Sequence, residues 1–558
     1  MRPIREDIAE VIRTGFERAQ RSGALPEFAL PEVIVERPRQ EGFGDYATAA
    51  AMQCARLARM APMKIAQAVI AHLPQEDFFG RVEAAAPGFI NITLSDSWLA
   101  RQVETVLDEE SNFGRVDVGR GARIQVEYGS ANPTGPLHVG FARNVVIGDA
   151  LANVLHWAGY NVQREYYVND AGTQIEVFGP SLYARYAQAL GLDVPVPENG
   201  YHGQYLVEWG REIAESEGRR FLDMPYEEAV SALAEYGLQE KVLPSVRADV
   251  ERMGIHYDNW FSEKQLYRDG SFEAAMAILR QGGYVSEHDG ALWFDATKLG
   301  ADKDEVLIRS SGRPGYFASD VAYHYNKFIT RGFELVIDVW GADHQGHVPR
   351  MKALMKALGL DPDRLHLLIY QLVTLKRGGE IVRLSKRTGD MITLRELIEE
   401  VSPDAVRYFL VSRSPDSQMD FDLELAVKQS DENPVFYVQY AHARIASVLR
   451  LAAASHVRYG DGDVSLLTHP SEMALIRQLL QLPEVVEDAA RDLAPHRMAY
   501  YAYDVARAFH AFYRDCRMVS SVADDLPISK ARLKLARASQ VVLAHALAIM
   551  GMSAPERM

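Results

Sequence analysis

At 558 residues the chain exceeds a single hydrophobic core, and roughly two to four domains are expected. It is 48% hydrophobic and 24% charged with no apolar run of 18 or more residues, a globular balance that excludes a transmembrane helix. The net charge of −16 excludes a simple nucleic-acid coat while leaving room for a local basic face, and two distant cysteines, Cys54 and Cys516, exclude a disulfide framework and fit a reducing, cytoplasmic setting.

The N-terminus, MRPIREDIAEVIRTGFERA, reads as an amphipathic charged helix over about 5–22, not as a signal peptide. A strand over Glu32–Arg37 is expected next, then the turn GFGDYA, two Ala-rich helices over about 46–73, and a strand over Gly88–Leu94. In that strand Phe89 and Asn91 point to one face. An aromatic beside an amide is how single-stranded RNA bases are read, although a core Phe with an edge Asn has the same spacing. Residues 1–110 are expected to form a separate α+β module.

From about 111 to 390 strands and helices alternate, which predicts an α/β domain with a doubly wound, Rossmann-like parallel sheet. Arg123–Tyr128 reads as a buried strand, GSANPTGPLHVG as a Pro/Gly-rich loop, and the residues from near His138 to Gly159 as a helix. A His at a helix start beside Gly140 can donate to a phosphoryl oxygen, because that end of a helix attracts anions. Tyr166–Val168 and Leu335–Trp340 are further strands. Neither GxGxxG nor GxxxxGK[ST] occurs, which removes the main support for a dehydrogenase or a P-loop enzyme. Residues about 178–250 look like a helical insertion and contain YHGQYL, Tyr201–Leu206. From about 391 the chain is expected to be almost wholly helical, with a bundle from about 430. There Lys530, Lys534 and Arg537 share one helical face, ordinarily a solvated stripe.

Val382–Asp390, VRLSKRTGD, is a polar loop in which Arg383, Lys386 and Arg387 surround Ser385, suited to bringing charge to a polyphosphate. Alone it is ordinary solvated surface. Together with SANPTGPLHVG it resembles the paired signatures of class I aminoacyl-tRNA synthetases. The "HIGH" helix start is His138-Val139-Gly140-Phe141 here, and the "KMSK" loop is Arg383-Leu384-Ser385-Lys386. WGADHQGHVPR, DAVRYFLVSRSPDS and ENPVFYVQYAHAR narrow the resemblance to the arginyl-tRNA synthetases, over nearly the whole chain.

The resemblance implies a ligase that activates L-arginine with ATP and transfers it to the 3′-terminal adenosine of tRNA(Arg). It implies an N-terminal domain that grips the tRNA D-loop through Phe89 and Asn91, and an all-α C-terminal anticodon-binding bundle in which Lys530, Lys534 and Arg537 would contact tRNA phosphates. His138 and Lys386 would be catalytic, with Gly140, Phe141, Gly341, Asp343, Arg383 and Ser385 also at ATP. Tyr316, Asp320 and Glu263 would hold the guanidinium, and Glu127, Ser130, Asn132 and His344 the α-amino and carboxylate groups. Mg²⁺ is expected with the ATP. No zinc is expected, since His344 and His347 have no further ligand at suitable spacing. A monomer is expected, with no membrane partner.

One departure is Phe141, where most of the family carries His. Phe cannot donate to the phosphate, so either another donor substitutes, with Asn144 one turn on as the candidate, or activation is slow. It also motivates the rival reading, a non-catalytic or weakly active tRNA-binding paralogue.

Overall fold

The computed structural model describes residues 2–38, 40, 42–382, 392–520 and 522–558. At its centre five parallel strands lie in the order Leu365–Tyr370, Leu335–Gly341, Arg123–Glu127, Asn161–Val168, Asn259–Ser262. The middle strand is covered on both faces, so Ile124, Gln125 and Val126 are all fully buried. From it the chain passes through the helix Val139–Trp157 to Asn161–Val168 on one side, and only after about 170 residues reaches Leu335–Gly341 on the other. The order therefore reverses at Arg123–Glu127, and a crevice opens at the carboxyl ends of this strand and of Leu335–Gly341.

The insertion is helical, with Thr173–Ala189 packed on Gln204–Glu217 and Tyr226–Gly237 before a π-turn leads into Leu243–Arg252. The N-terminal module is a three-stranded antiparallel sheet, Tyr46–Thr48, Phe89–Leu94 and Phe79–Ala85, covered by helices Ile4–Arg21, Ala50–Ala58 and Pro62–Ala71. The strand expected over Glu32–Arg37 is a correction. That segment is extended but pairs only through a bridge between Glu36 and Ala47. Pro31 and Pro38 bracket it and supply no N–H to a ladder.

The C-terminal part is a bundle of helices Pro434–Ala454, Pro470–Leu479, Leu482–Arg491, His496–Asp515 and Leu526–Ile549. It is not helical throughout from 391, since Met419–Asp422 is a strand parallel to Val373–Arg377. The basic stripe on its last helix is engaged within the chain. Lys530, Lys534 and Arg537 do share a face, but Lys530 pairs with Asp461 (2.7 Å), Lys534 is buried against Glu104, and Arg537 pairs with Glu110 (2.9 Å). Glu104 lies on the helix Asp96–Glu109 and Glu110 in the turn after it, so these pairs clamp two parts of the chain together. Arg477 adds bonds to Asp45 (2.8 Å) and Asp96 (3.1 Å).

Arg407, within DAVRYFLVSRSPDS, is fully buried. Its Nε donates to the Met550 carbonyl (2.8 Å), one terminal nitrogen to the Met253 carbonyl (2.7 Å), and the other to the Asp149 carboxylate. A buried charge is tolerated only with such full pairing. No described helix is long and apolar enough to cross a membrane.

Candidate active site

The loop after the central strand is built from close contacts. Gly129 adopts a positive φ of 87°, and a Cβ there would lie 2.5 Å from the Tyr257 hydroxyl. Its N–H donates to Asn144 Oδ1 (2.5 Å), while Asn144 Nδ2 donates to the Val339 carbonyl (2.7 Å). Asn144 thus joins the loop, the helix and the neighbouring strand at the reversal point. The Tyr370 hydroxyl takes the second Nδ2 proton, so Asn144 has none left for a phosphate in this arrangement.

His138 is the N-cap of the helix Val139–Trp157. The Gly140 N–H donates to its Nδ1 (3.1 Å), which leaves the ring proton on Nε2. Burial lowers the His138 pKa, so the ring is neutral at physiological pH and its Nε2–H is a donor. A Cβ on Gly140 would meet this ring at 2.8 Å. Phe141 packs edge-to-face on His138, with ring centroids 4.7 Å apart. The replaced signature His is therefore a packing partner of the remaining one.

The start of this helix is zipped to residues beyond the basic loop. Val139 N–H donates to the Ile392 carbonyl (2.9 Å), and Leu394 N–H to the Leu137 carbonyl (2.7 Å). Arg383, Ser385 and Lys386 lie outside the described residues. At the end of Leu335–Gly341, a Cβ on Gly341 would lie 2.5 Å from Asp343 Oδ1, so any larger residue there would displace that exposed carboxylate. Asp343 is exposed, and His344 stands beside it and Trp340. The structure brings His344 to this edge, beside His347.

Across the crevice the helix Tyr316–Tyr325 places Asp320 one turn after Tyr316, whose ring is 71% exposed. Burial, then the neighbouring Asp338, pushes the Asp320 carboxyl up to about 7, against the pull of Lys327. Glu263 opens the helix Glu263–Arg268 and accepts from the Ser319 hydroxyl (2.5 Å). Burial, with the Asp320 and Asp170 charges, pushes it up to about 7 as well. Glu127, at the end of the central strand, is bonded to the ammonium of Lys327, yet burial and Asp338 also raise it to about 7. Ser130 is half-buried and Asn132 exposed on the loop that follows. Negative charge thus outweighs positive in this pocket, an arrangement that favours a cationic ligand.

Sequence reasoning missed the support beneath. Lys327 is fully buried and donates to Glu127 and to Asp338 Oδ1 (2.8 Å). His324 Nε2 bonds Asp338 Oδ2 (2.9 Å), and these contacts hold Asp338 well below the usual carboxylate range. A charged residue inside the apolar strand LVIDVW was the available signal, since an unpaired Asp is rarely buried. Arg143 was missed too. It is fully buried, and its guanidinium donates to the carbonyls of Gln371 (2.6 Å), Ser417 (2.8 Å) and Ser414 (2.9 Å), with burial lowering it to about 10. It ties the His138 helix to the far edge of the sheet.

In the N-terminal module, Phe89 is 37% exposed but Asn91 only 4%, so the two expected RNA contacts are not equally accessible.

A parallel sheet with a reversed order, a His-capped helix at the reversal point and a polar pocket opposite define a class I aminoacyl-tRNA synthetase catalytic unit. The family model for the class I (R) tRNA synthetase catalytic domain matches residues 102–197 and 226–438, that for the arginyl tRNA synthetase N-terminal domain residues 4–94, and that for the DALR anticodon binding domain residues 438–558. An arginine–tRNA ligase from Dehalococcoides mccartyi is 49% identical over 100% of this chain and 99% of its own length. Solved structures agree. A putative arginyl-tRNA synthetase from Campylobacter jejuni aligns with a TM-score of 0.76 at 32% identity, over 83% of this chain and 100% of that one. The Thermus thermophilus arginyl-tRNA synthetase gives the same TM-score at 25% identity, over 99% and 100%. The chain belongs to the arginyl-tRNA synthetase family.

Proposed function

We propose that this arginine–tRNA ligase recognises its amino acid through the carboxyl cluster of Asp320, Glu263 and Glu127 and activates it at the crevice capped by His138. The observation that carries the reading is that cluster, buried Glu127 and Glu263 with half-buried Asp320, each raised to about 7, with Lys327 acting on Glu127 and Asp320. A guanidinium entering between Asp320 and Glu263, with the Tyr316 phenol at the rim, turns the neutral or strained carboxyls into paired carboxylates. Ser130, Asn132, Glu127 and His344 are assigned to the α-amino and carboxylate end, which leaves that carboxylate facing the nucleotide.

Activation joins an arginine carboxylate oxygen to the α-phosphorus of ATP and breaks its bond to pyrophosphate. Transfer then joins the arginyl carbonyl to a ribose hydroxyl of the terminal adenosine and releases AMP. Such chemistry is mainly alignment and charge stabilisation. The neutral His138 donates from Nε2 to the α-phosphate, and the amino end of its helix adds a favourable field. Gly341 and Asp343 receive the ribose. Lys386, with Arg383 and Ser385, follows the departing pyrophosphate. Mg²⁺ arrives as MgATP, liganded chiefly by phosphate oxygens.

Exposed Phe89 is assigned to base stacking on the tRNA, with Asn91 acting beneath it. The chain is taken to divide into residues 1–110, 111–390 and 391–558, to be monomeric, and to work in the cytoplasm. The test is arginine-dependent ATP–pyrophosphate exchange with and without tRNA(Arg), followed by charging of that tRNA. Lysine-dependent exchange at equal efficiency would remove the pocket assignment, and sedimentation of a dimer would remove the monomer.

A further inference from the structure

We propose that Tyr205, in the helical insertion, is a positioning residue for the activation step. It holds the middle of the Ser130–Leu137 loop from outside the catalytic sheet. The motif YHGQYL falls in 198–225, between the two stretches matched by the catalytic family model. Nevertheless it reaches the site. The Tyr205 hydroxyl donates to the Thr134 carbonyl (2.9 Å), and a Cβ on Gly135 would lie 2.8 Å from Cζ of the Tyr205 ring. Edge-to-face contact with Trp209, centroids 4.9 Å apart, fixes the ring in turn.

The loop needs such a brace. Its beginning is held by Asn144 at Gly129 and by the Tyr166 hydroxyl at the Ala131 N–H (3.3 Å), and its end is zipped to Ile392–Leu394. Between those anchors lies Asn132-Pro133-Thr134-Gly135-Pro136, where two prolines carry no N–H and an internal bond runs from Thr134 N–H to the Asn132 carbonyl (2.9 Å). Tyr205 grips this middle. The residues on either side of it, Asn132 and His138, are those assigned above to arginine and to ATP. Displacing such groups by a fraction of an ångström is costly to rate.

The insertion is a poor RNA surface. Residues 178–250 hold twelve Asp and Glu against six Lys and Arg, a net charge of −6, which repels phosphates. Its effect on catalysis is thus routed inward, through the tyrosine.

The inference rests on the assignment of this loop to activation. The test compares Tyr205→Phe, Gly135→Ala and, as a control on an exposed neighbour, His202→Ala, all in the full chain. Tyr205→Phe keeps the ring and removes the bond; it should lower the exchange rate about 3- to 10-fold, with Tm and tRNA(Arg) affinity unchanged. Gly135→Ala pushes the ring away and should lower the rate further, while His202→Ala stays at the wild-type rate. If Tyr205→Phe exchanges at the wild-type rate, or loses rate only in step with Tm, the positioning role is wrong. Absence of exchange in the wild-type chain would instead overturn the proposed function.

Discussion

Asp320 invites a substitution with two opposite effects. Its carboxyl is pushed from 3.8 up to about 7, chiefly by burial, and holding it ionised at pH 8 costs at most about 4 kcal/mol. Relaxation and partial hydration reduce this to roughly 1–2 kcal/mol of lost stability. Asp320→Asn removes the charge with little change in volume, so the ligand-free variant should melt roughly 2–4 °C higher at pH 8. An acid whose folded pKa lies above its unfolded one binds more protons when folded. Its penalty is full above pH 7 and fades as pH falls toward 4. The advantage of the variant should therefore shrink from pH 8 to pH 5.5. Arginine use should move the other way. Loss of a charge-assisted contact costs roughly 2–4 kcal/mol, a 30- to 1000-fold rise in the KM for arginine, with the KM for ATP nearly unchanged. Scanning fluorimetry across pH with and without arginine, beside exchange kinetics, reads both arms. An unchanged arginine KM, or a Tm difference that does not depend on pH, would refute the reasoning.

Other outcomes follow from the same geometry. For the wild type, the KM for arginine should rise as pH falls below about 7, because Asp320 and Glu263 then take up protons and lose their attraction for a guanidinium; a flat profile from pH 8 to 6 would contradict this. Phe141→Ala should slow adenylate formation about tenfold or more by loosening His138, whereas Phe141→His should give no gain, since that position is a packing contact; faster single-turnover activation by the His variant would restore the missing-donor view. Lys386→Ala should depress pyrophosphate exchange and leave tRNA affinity nearly intact, checked by exchange and filter binding side by side. Phe89→Ala should weaken tRNA binding by about 1–3 kcal/mol, and equal charging efficiency would make it a surface residue only.

Much of this site was legible because local rules and global fold agree there. The strand–loop–helix around His138, the turn-spaced Tyr316 and Asp320, and the glycine beside Asp343 each follow from short-range pattern. What stayed hidden depends on partners distant in sequence. Lys530, Lys534 and Arg537 have the spacing of an exposed stripe, and nothing in that helix reveals Glu104 and Glu110 some 430 residues earlier. Asn144 sits one turn from the signature like a free donor, and only the strand carrying Val339 shows that its amide is engaged. Glu32–Arg37 alternates like a strand, but a ladder needs a neighbour that the fold does not place there. Tyr205 belongs to the same class, because its meaning lies in Thr134.

The buried guanidinium of Arg407 also bears on how the molecule is made. Its three partners, Asp149, Met253 and Met550, enter the chain at widely separated times, the last 143 residues after Arg407 itself. Until Met550 arrives, the Arg407 Nε–H lacks its acceptor and the buried guanidinium is only partly paired. On the ribosome the N-terminal module can form early. The catalytic unit, although encoded in the middle of the chain, reaches its final packing only once Met550 has emerged. A nascent chain stalled before Met550 should therefore hold a loosened, chaperone-accessible catalytic unit.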